Sequence, residues 1–147
     1  MTAIFVDTNV LVYSLDVGKP GKHERAAAWM DAMWVSRRGR LSFQVLQEFY
    51  VTVTQKLTPG LDRNRARAEV RDLMAWRPLA IAPPVLEGAW VVQDRFSISW
   101  WDALIVSAAQ VSGCRFLLTE DLQDGQDLDG TQIVNPFTHP PETLLEQ

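Results

Sequence analysis

The sequence predicts an α/β fold: a central parallel sheet of four or five strands flanked by helices. Three observations carry that expectation. Short apolar runs of strand length alternate with longer stretches of helical periodicity. The first run, Ile4-Phe5-Val6, stops at Asp7-Thr8-Asn9, as a buried strand does when it turns into a helix at the carboxyl edge of a sheet. A length of 147 residues and an apolar content of 47% suit one domain with a real core.

The elements follow in order. After the first strand, Val10 to about Leu15 predicts a short helix, and Gly18-Lys19-Pro20-Gly21-Lys22 a loop. A longer helix runs from about His23 to Ser36, with Ala26, Trp29, Met30 and Met33 at the spacing of one buried face. It ends in Arg37-Arg38-Gly39-Arg40; these arginines suit either a helix C-terminus or a phosphate. Leu41-Ser42-Phe43 predicts a second strand, and Gln44 to about Leu57 a helix with Leu46, Phe49, Tyr50, Val53 and Leu57 on one stripe. Thr58-Pro59-Gly60 stops it, and a helix over about 63–76 follows. Leu79-Ala80-Ile81 predicts a third strand, and Pro83 or Pro84 opens a helix through about Arg95. Ser99 is placed to N-cap a helix from Trp100 to Ser112, closed by Gly113. Arg115–Thr119 and Thr131–Val134 predict the last two strands, with an acidic loop, Glu120 to Gly125, between them. Residues 1–137 are expected to form the domain and 138–147 a Pro-rich peripheral tail.

Composition excludes several classes. The single cysteine, Cys114, allows no intrachain disulfide and fits a reducing compartment, hence an expected cytoplasmic location. No basic n-region or long apolar h-region opens the chain, so no signal peptide is expected. No run of about 18 apolar residues suggests a membrane span. The net charge of −4 hides a split: residues 1–86 carry 12 Lys/Arg against 8 Asp/Glu, and residues 87–147 carry 2 against 10. A basic half suits phosphates and an acidic half cations, although solvated helix faces produce the same pattern.

Four acids have placements that point to one rim. Asp7 follows the first strand, and Asp121 follows the strand ending at Thr119. Asp102 opens an apolar helix, where Ser99-x-x-Asp102 also resembles a capping box. Glu48 lies one turn into the helix after the second predicted strand, flanked by Val45 and Phe49. Each has a local explanation as a cap or a solvated acid. Together they repel: one carboxylate pair at 4 Å costs about 4 kcal/mol at an effective dielectric near 20. Either some stay protonated or a cation neutralises them, and hard oxygen ligands suit Mg²⁺ or Mn²⁺. Cys114, His23 and His139 are scattered, which argues against zinc, and no Gly-rich phosphate loop is present. Metal-assisted phosphodiester hydrolysis is the chemistry this set suits best.

These residues resemble the PIN-domain nucleases. Phe5-Val6-Asp7-Thr8-Asn9-Val10-Leu11-Val12-Tyr13 is similar to that family's opening motif, and Gln47-Glu48-Phe49 to its second acidic position. Trp101-Asp102-Ala103-Leu104-Ile105 resembles the third and Leu118-Thr119-Glu120-Asp121 the fourth; Ile133-Val134-Asn135-Pro136-Phe137 resembles the closing strand of the VapC toxin branch. The resemblance implies a Rossmann-like sheet and a Mg²⁺- or Mn²⁺-dependent endoribonuclease. Asp7 and Asp102 would be the core metal ligands, with Glu48 and Asp121 binding a second ion or orienting water. Thr8 and Asn9 would shape the first turn. Glu120 and Asp124 lie near enough to compete with Asp121, which has the family's Thr-x-Asp spacing. An antitoxin partner and a homodimer are also implied. Two rivals remain: a PIN-like scaffold that binds RNA or protein without cutting, and a haloacid-dehalogenase-like phosphatase. The latter needs a second Asp where this chain has Asn9.

Overall fold

The computed structural model describes residues 2–145. Its centre is β1 (Ala3–Val6), whose Ile4, Phe5 and Val6 are fully buried. Parallel strands flank β1 on both sides: β2 (Gly39–Arg40) and β3 (Cys114–Leu118). β5 (Thr131–Val134) extends the sheet in parallel beyond β3, and β4 (Asp127–Leu128) closes that edge antiparallel to β5. The order is β2-β1-β3-β5-β4. Helices take the rest: α1 (Thr8–Tyr13), α2 (Pro20–Ser36), α3 (Phe43–Val51), α4 (Arg63–Leu73), α5 (Pro83–Phe96), α6 (Trp100–Val111) and α7 (Glu142–Leu145). The result is the expected α/β fold, a mostly parallel sheet flanked by helices.

Three elements differ from the sequence expectation. The second strand lies at Gly39–Arg40 rather than Leu41–Phe43, because Ser42 leaves the sheet to cap α3 and Phe43 already belongs to that helix. The apolar signal of Leu41 comes from burial, not from strand pairing. The third predicted strand, Leu79–Ile81, reduces to a single parallel bridge from Leu79 to Ser42. The antiparallel β4 carries no apolar signal, since Asp127 is exposed and only Leu128 is buried. The two long helices also end in different geometry. α3 runs into a π-helical turn, Thr52–Lys56, and α4 into a 3₁₀ turn, Met74–Trp76. α1 begins two residues early, at Thr8, with Asp7 as its N-cap.

Two packing features hold the site's elements still. α6 is buried on every side from Ala103 to Ala109, which fixes the end that carries Asp102. It packs closely against α5, and the approach depends on Gly88. A Cβ at Gly88 would collide with the Ser107 hydroxyl, which donates to the Val85 carbonyl at 2.7 Å. Gly88→Val is expected to destabilise the protein by about 1–3 kcal/mol through overpacking, read as a several-degree fall in melting temperature. An unchanged melt would show that the two helices part at no cost. Residues 138–145 lie against this body: Trp29 Nε1 donates to the carbonyls of Pro136 and His139, both at 3.0 Å, and Leu144 is buried.

Candidate active site

Asp7 stands where β1 ends, held there by its backbone N–H donating to the Leu118 carbonyl of β3 (3.1 Å). Its carboxylate is buried and twice bonded. Oδ1 accepts from the Thr8 N–H at 2.7 Å, the N-cap contact, and Oδ2 accepts from the Thr119 hydroxyl at 2.8 Å. Burial pushes its pKa from 3.8 up to about 7, against the lowering effect of the Thr119 and Thr8 hydrogen bonds. Asp121 and Glu48 add repulsion in the same direction.

The other acids face Asp7 across a scaffold of short polar side chains. Glu48 reaches the rim from α3, where Thr8 Oγ1 donates to its Oε2 (2.9 Å) and Gln44 Nε2 to its Oε1 (2.8 Å). Asp121 follows β3, with its N–H on Thr119 Oγ1 and its Oδ2 accepting from Asn9 Nδ2, both at 3.1 Å. Asn9 Nδ2 also lies 3.1 Å from Thr119 Oγ1 and 3.5 Å from Asp7 Oδ2. Asp102 sits in the first turn of α6, its N–H capped by Ser99 Oγ at 3.1 Å. Partial burial raises its pKa, the Ser99 contact opposes this, and Asp121 and Glu48 raise it further. All four predicted acids therefore come to the carboxyl edge of β1 and β3, close enough for Asp121 and Glu48 to act on both Asp7 and Asp102.

The neighbouring loop acids are engaged elsewhere. Glu120 pairs with Lys22 at 2.7 Å. Asp124 accepts from the Asn135 N–H at 2.9 Å and pairs with His139 at 2.8 Å; those contacts lower its pKa. Thr119 and Gln44 carry no mark in the sequence as site residues. Thr119 is wholly buried, accepts from two groups and donates to Asp7; the only trace of this is a Thr two residues before an Asp. Thr8 and Asn9, expected only to shape the turn, hold Glu48 and Asp121.

Among the described residues no three His, Cys, Asp or Glu side chains form a ready metal cage. The carboxylates of Asp7, Glu48 and Asp121 accept hydrogen bonds from Thr8, Thr119, Gln44 and Asn9. The donor set nonetheless fits a hard divalent cation. All its ligating atoms are oxygens, and two buried acceptors beside the acids, Asn9 Oδ1 and Gln44 Oε1, have no hydrogen-bond partner among the described residues. An unpaired buried acceptor costs about 1–3 kcal/mol.

The sequence profile of the PIN domain matches residues 4–123, a span that includes all four acids. The chain belongs to the PIN-domain family. Solved structures of similar fold agree with this. FitAcB from Neisseria gonorrhoeae is 21% identical with a TM-score of 0.63, covering 91% of this chain and 98% of that one. A DNA-bound VapBC from Salmonella typhimurium is 16% identical with a TM-score of 0.62, covering 90% and 97%. VapC20 of Mycobacterium tuberculosis, described as a sarcin-ricin loop cleaving toxin, is 20% identical with a TM-score of 0.58, covering 78% and 87%. No curated protein sequence matches the chain. No helix among the described residues is long and apolar enough to cross a membrane.

Proposed function

We propose that this PIN domain is a divalent-cation-dependent endoribonuclease, the toxin of a toxin–antitoxin pair. One observation carries the reading: four acids from four separate elements converge on one rim and repel one another there. Such a set is costly unless its purpose is to hold a cation. Asp7, Asp102, Glu48 and Asp121 would hold Mg²⁺ or Mn²⁺, which supplies a water of lowered pKa and charge stabilisation at the phosphate. The chain's own residues supply orientation. Thr119 and the Thr8 N–H fix Asp7, Thr8 and Gln44 fix Glu48, and Asn9 fixes Asp121.

The complexes named among the similar folds support an antitoxin partner. So does the apolar groove of about 520 Å³ between α3 and α4, lined by Phe43, Leu46, Tyr50, Val70 and Met74. A homodimer in the cytoplasm completes the reading. The phosphatase alternative has no second Asp: Asn9 stands there, with its amide donating to Asp121. The purified protein is expected to cleave RNA with Mg²⁺ or Mn²⁺ and to stop on addition of EDTA. Cleavage that persists in EDTA would sink the mechanism. RNA binding without any cleavage would favour a scaffold.

A further inference from the structure

Five of the six tryptophans are accounted for by the fold. Trp29 is buried and bonded to two carbonyls, Trp34 packs edge-on to Trp76, and Trp90 stacks with Trp100. Trp101 is different. It is 64% exposed, with no hydrogen-bond or ring partner among the described residues, and it immediately precedes Asp102. It lines a concavity of about 530 Å³ together with Thr8, Gln47, Glu48, Thr52 and Lys56. That size falls in the range of small-molecule sites, roughly 300–1,000 Å³. Two of its walls, Thr8 and Glu48, belong to the acid cluster. Lys56 is exposed and has no carboxylate within ion-pair distance among the described residues.

We propose that this concavity holds one unpaired nucleotide of the RNA substrate beside the acids, with the base stacked on Trp101 and a phosphate facing Lys56. The inference rests on the nuclease reading and names what that site recognises. Its physical basis is electrostatic. A rim of four acids repels a phosphodiester chain, so a substrate needs attraction from groups at its margin. A π-face takes any base without regard to sequence, and a lysine takes a phosphate. A base inside a duplex has no free face to offer, so the site selects single-stranded RNA. Lys56 also ends its own helical turn, where a cation is favoured anyway, so Trp101 carries the decisive substitution.

The test titrates a fluorescein-labelled ten-nucleotide single-stranded RNA in EDTA against wild type, Trp101→Ala, Trp101→Phe and Lys56→Glu. Trp101→Ala is expected to weaken binding roughly 5- to 150-fold, the range of one lost base–aromatic stack. Trp101→Phe should retain most of the affinity, and Lys56→Glu should weaken binding and flatten its salt dependence. In Mg²⁺ the alanine variant should raise KM with kcat little changed. Equal binding by Trp101→Ala overturns the inference, as does equal affinity for a blunt duplex of the same sequence. A change in solution mass with RNA affinity intact also overturns it, by making Trp101 an interface residue. If RNA is cut normally while KM is unmoved by Trp101→Ala, the inference fails and the nuclease reading stands. Wild type that neither binds nor cuts RNA overturns both.

Discussion

Asp7→Asn is expected to abolish RNA cleavage and, at the same time, to stabilise the metal-free protein at alkaline pH. The two effects have one cause. Asp7 is buried, and burial raises its pKa from 3.8 to about 7. An acid whose folded pKa lies above its unfolded value contributes its full stability below about pH 4, and loses it as the pH rises through 7. The displacement is worth about 4 kcal/mol at most, by 1.36 kcal/mol for each pH unit. Asparagine carries no charge, keeps the N-cap acceptor for the Thr8 N–H, and gives up the hydrogen bond that Thr119 donates to Oδ2. That loss is about 1 kcal/mol. In EDTA at pH 8 the net gain should raise the melting temperature by roughly 5–10 °C. At pH 5 most of the gain should be gone, and below about pH 4, where Asp7 is protonated in the folded and unfolded chain alike, it should vanish. Mg²⁺ at pH 8 should stabilise wild type and leave Asp7→Asn little changed. Asp102→Asn should also abolish cleavage, with a much smaller gain in stability, because Asp102 is only partly buried. Full cleavage by both variants would remove the acids from the chemistry. A pH-independent gain in Asp7→Asn would remove the argument that burial raises the pKa of Asp7.

A buried acid of this kind lowers the stability of the folded chain at neutral pH, and that conflict with its surroundings is what made it visible in the sequence. An acid between the apolar runs Ile4–Val6 and Val10–Tyr13 has few structural uses, so Asp7 stands out. β1 was legible for the same reason, since a strand buried on both faces is apolar throughout. β2 was not. It consists of Gly39 and Arg40, and Gly39 is there because a Cβ would come within 2.8 Å of the Trp76 ring, a steric demand with no hydrophobic signature. The neighbouring Leu41-Ser42-Phe43 reads as strand because Leu41 is buried, yet Ser42 caps α3. The same limit applies at the site. Asp7, Asp102 and Asp121 could be placed because each follows a strand or opens a helix, and Glu48 because it lies about one turn into one. Their partners could not, because Thr8–Glu48 spans 40 residues and Asn9–Asp121 spans 112. Those pairings come from the parallel pairing of β1 with β3 and the packing of α1 on α3, and no local pattern records them.

Asn9 is the sharpest case, and its substitutions should separate charge from geometry. Its Nδ2 donates to Asp121 at 3.1 Å and lies 3.5 Å from Asp7, so a single amide ties the acid after β1 to the acid after β3. Its Oδ1 is buried without a partner beside them. Partners that orient metal ligands are worth about 10–100-fold in metal affinity or activity. Asn9→Ala should therefore reduce cleavage by about that factor, with the fold retained and partial recovery at high Mn²⁺. Asn9→Asp is isosteric, but it replaces the donor with an acceptor. Asp121 loses its hydrogen bond, and a fifth carboxylate joins the acids around Asp7, whose pKa burial already raises to about 7. The aspartate variant should be less stable than alanine in EDTA at pH 8, and should regain that deficit when Mg²⁺ is added or the pH is lowered to 5. Isothermal titration with Mn²⁺ and melts at the two pH values would read these effects. If Asn9→Asp matched wild type in EDTA at pH 8, the amide would have no part in holding the acids together. If alanine and aspartate were equally unstable there, lost hydrogen bonds rather than added charge would govern the site.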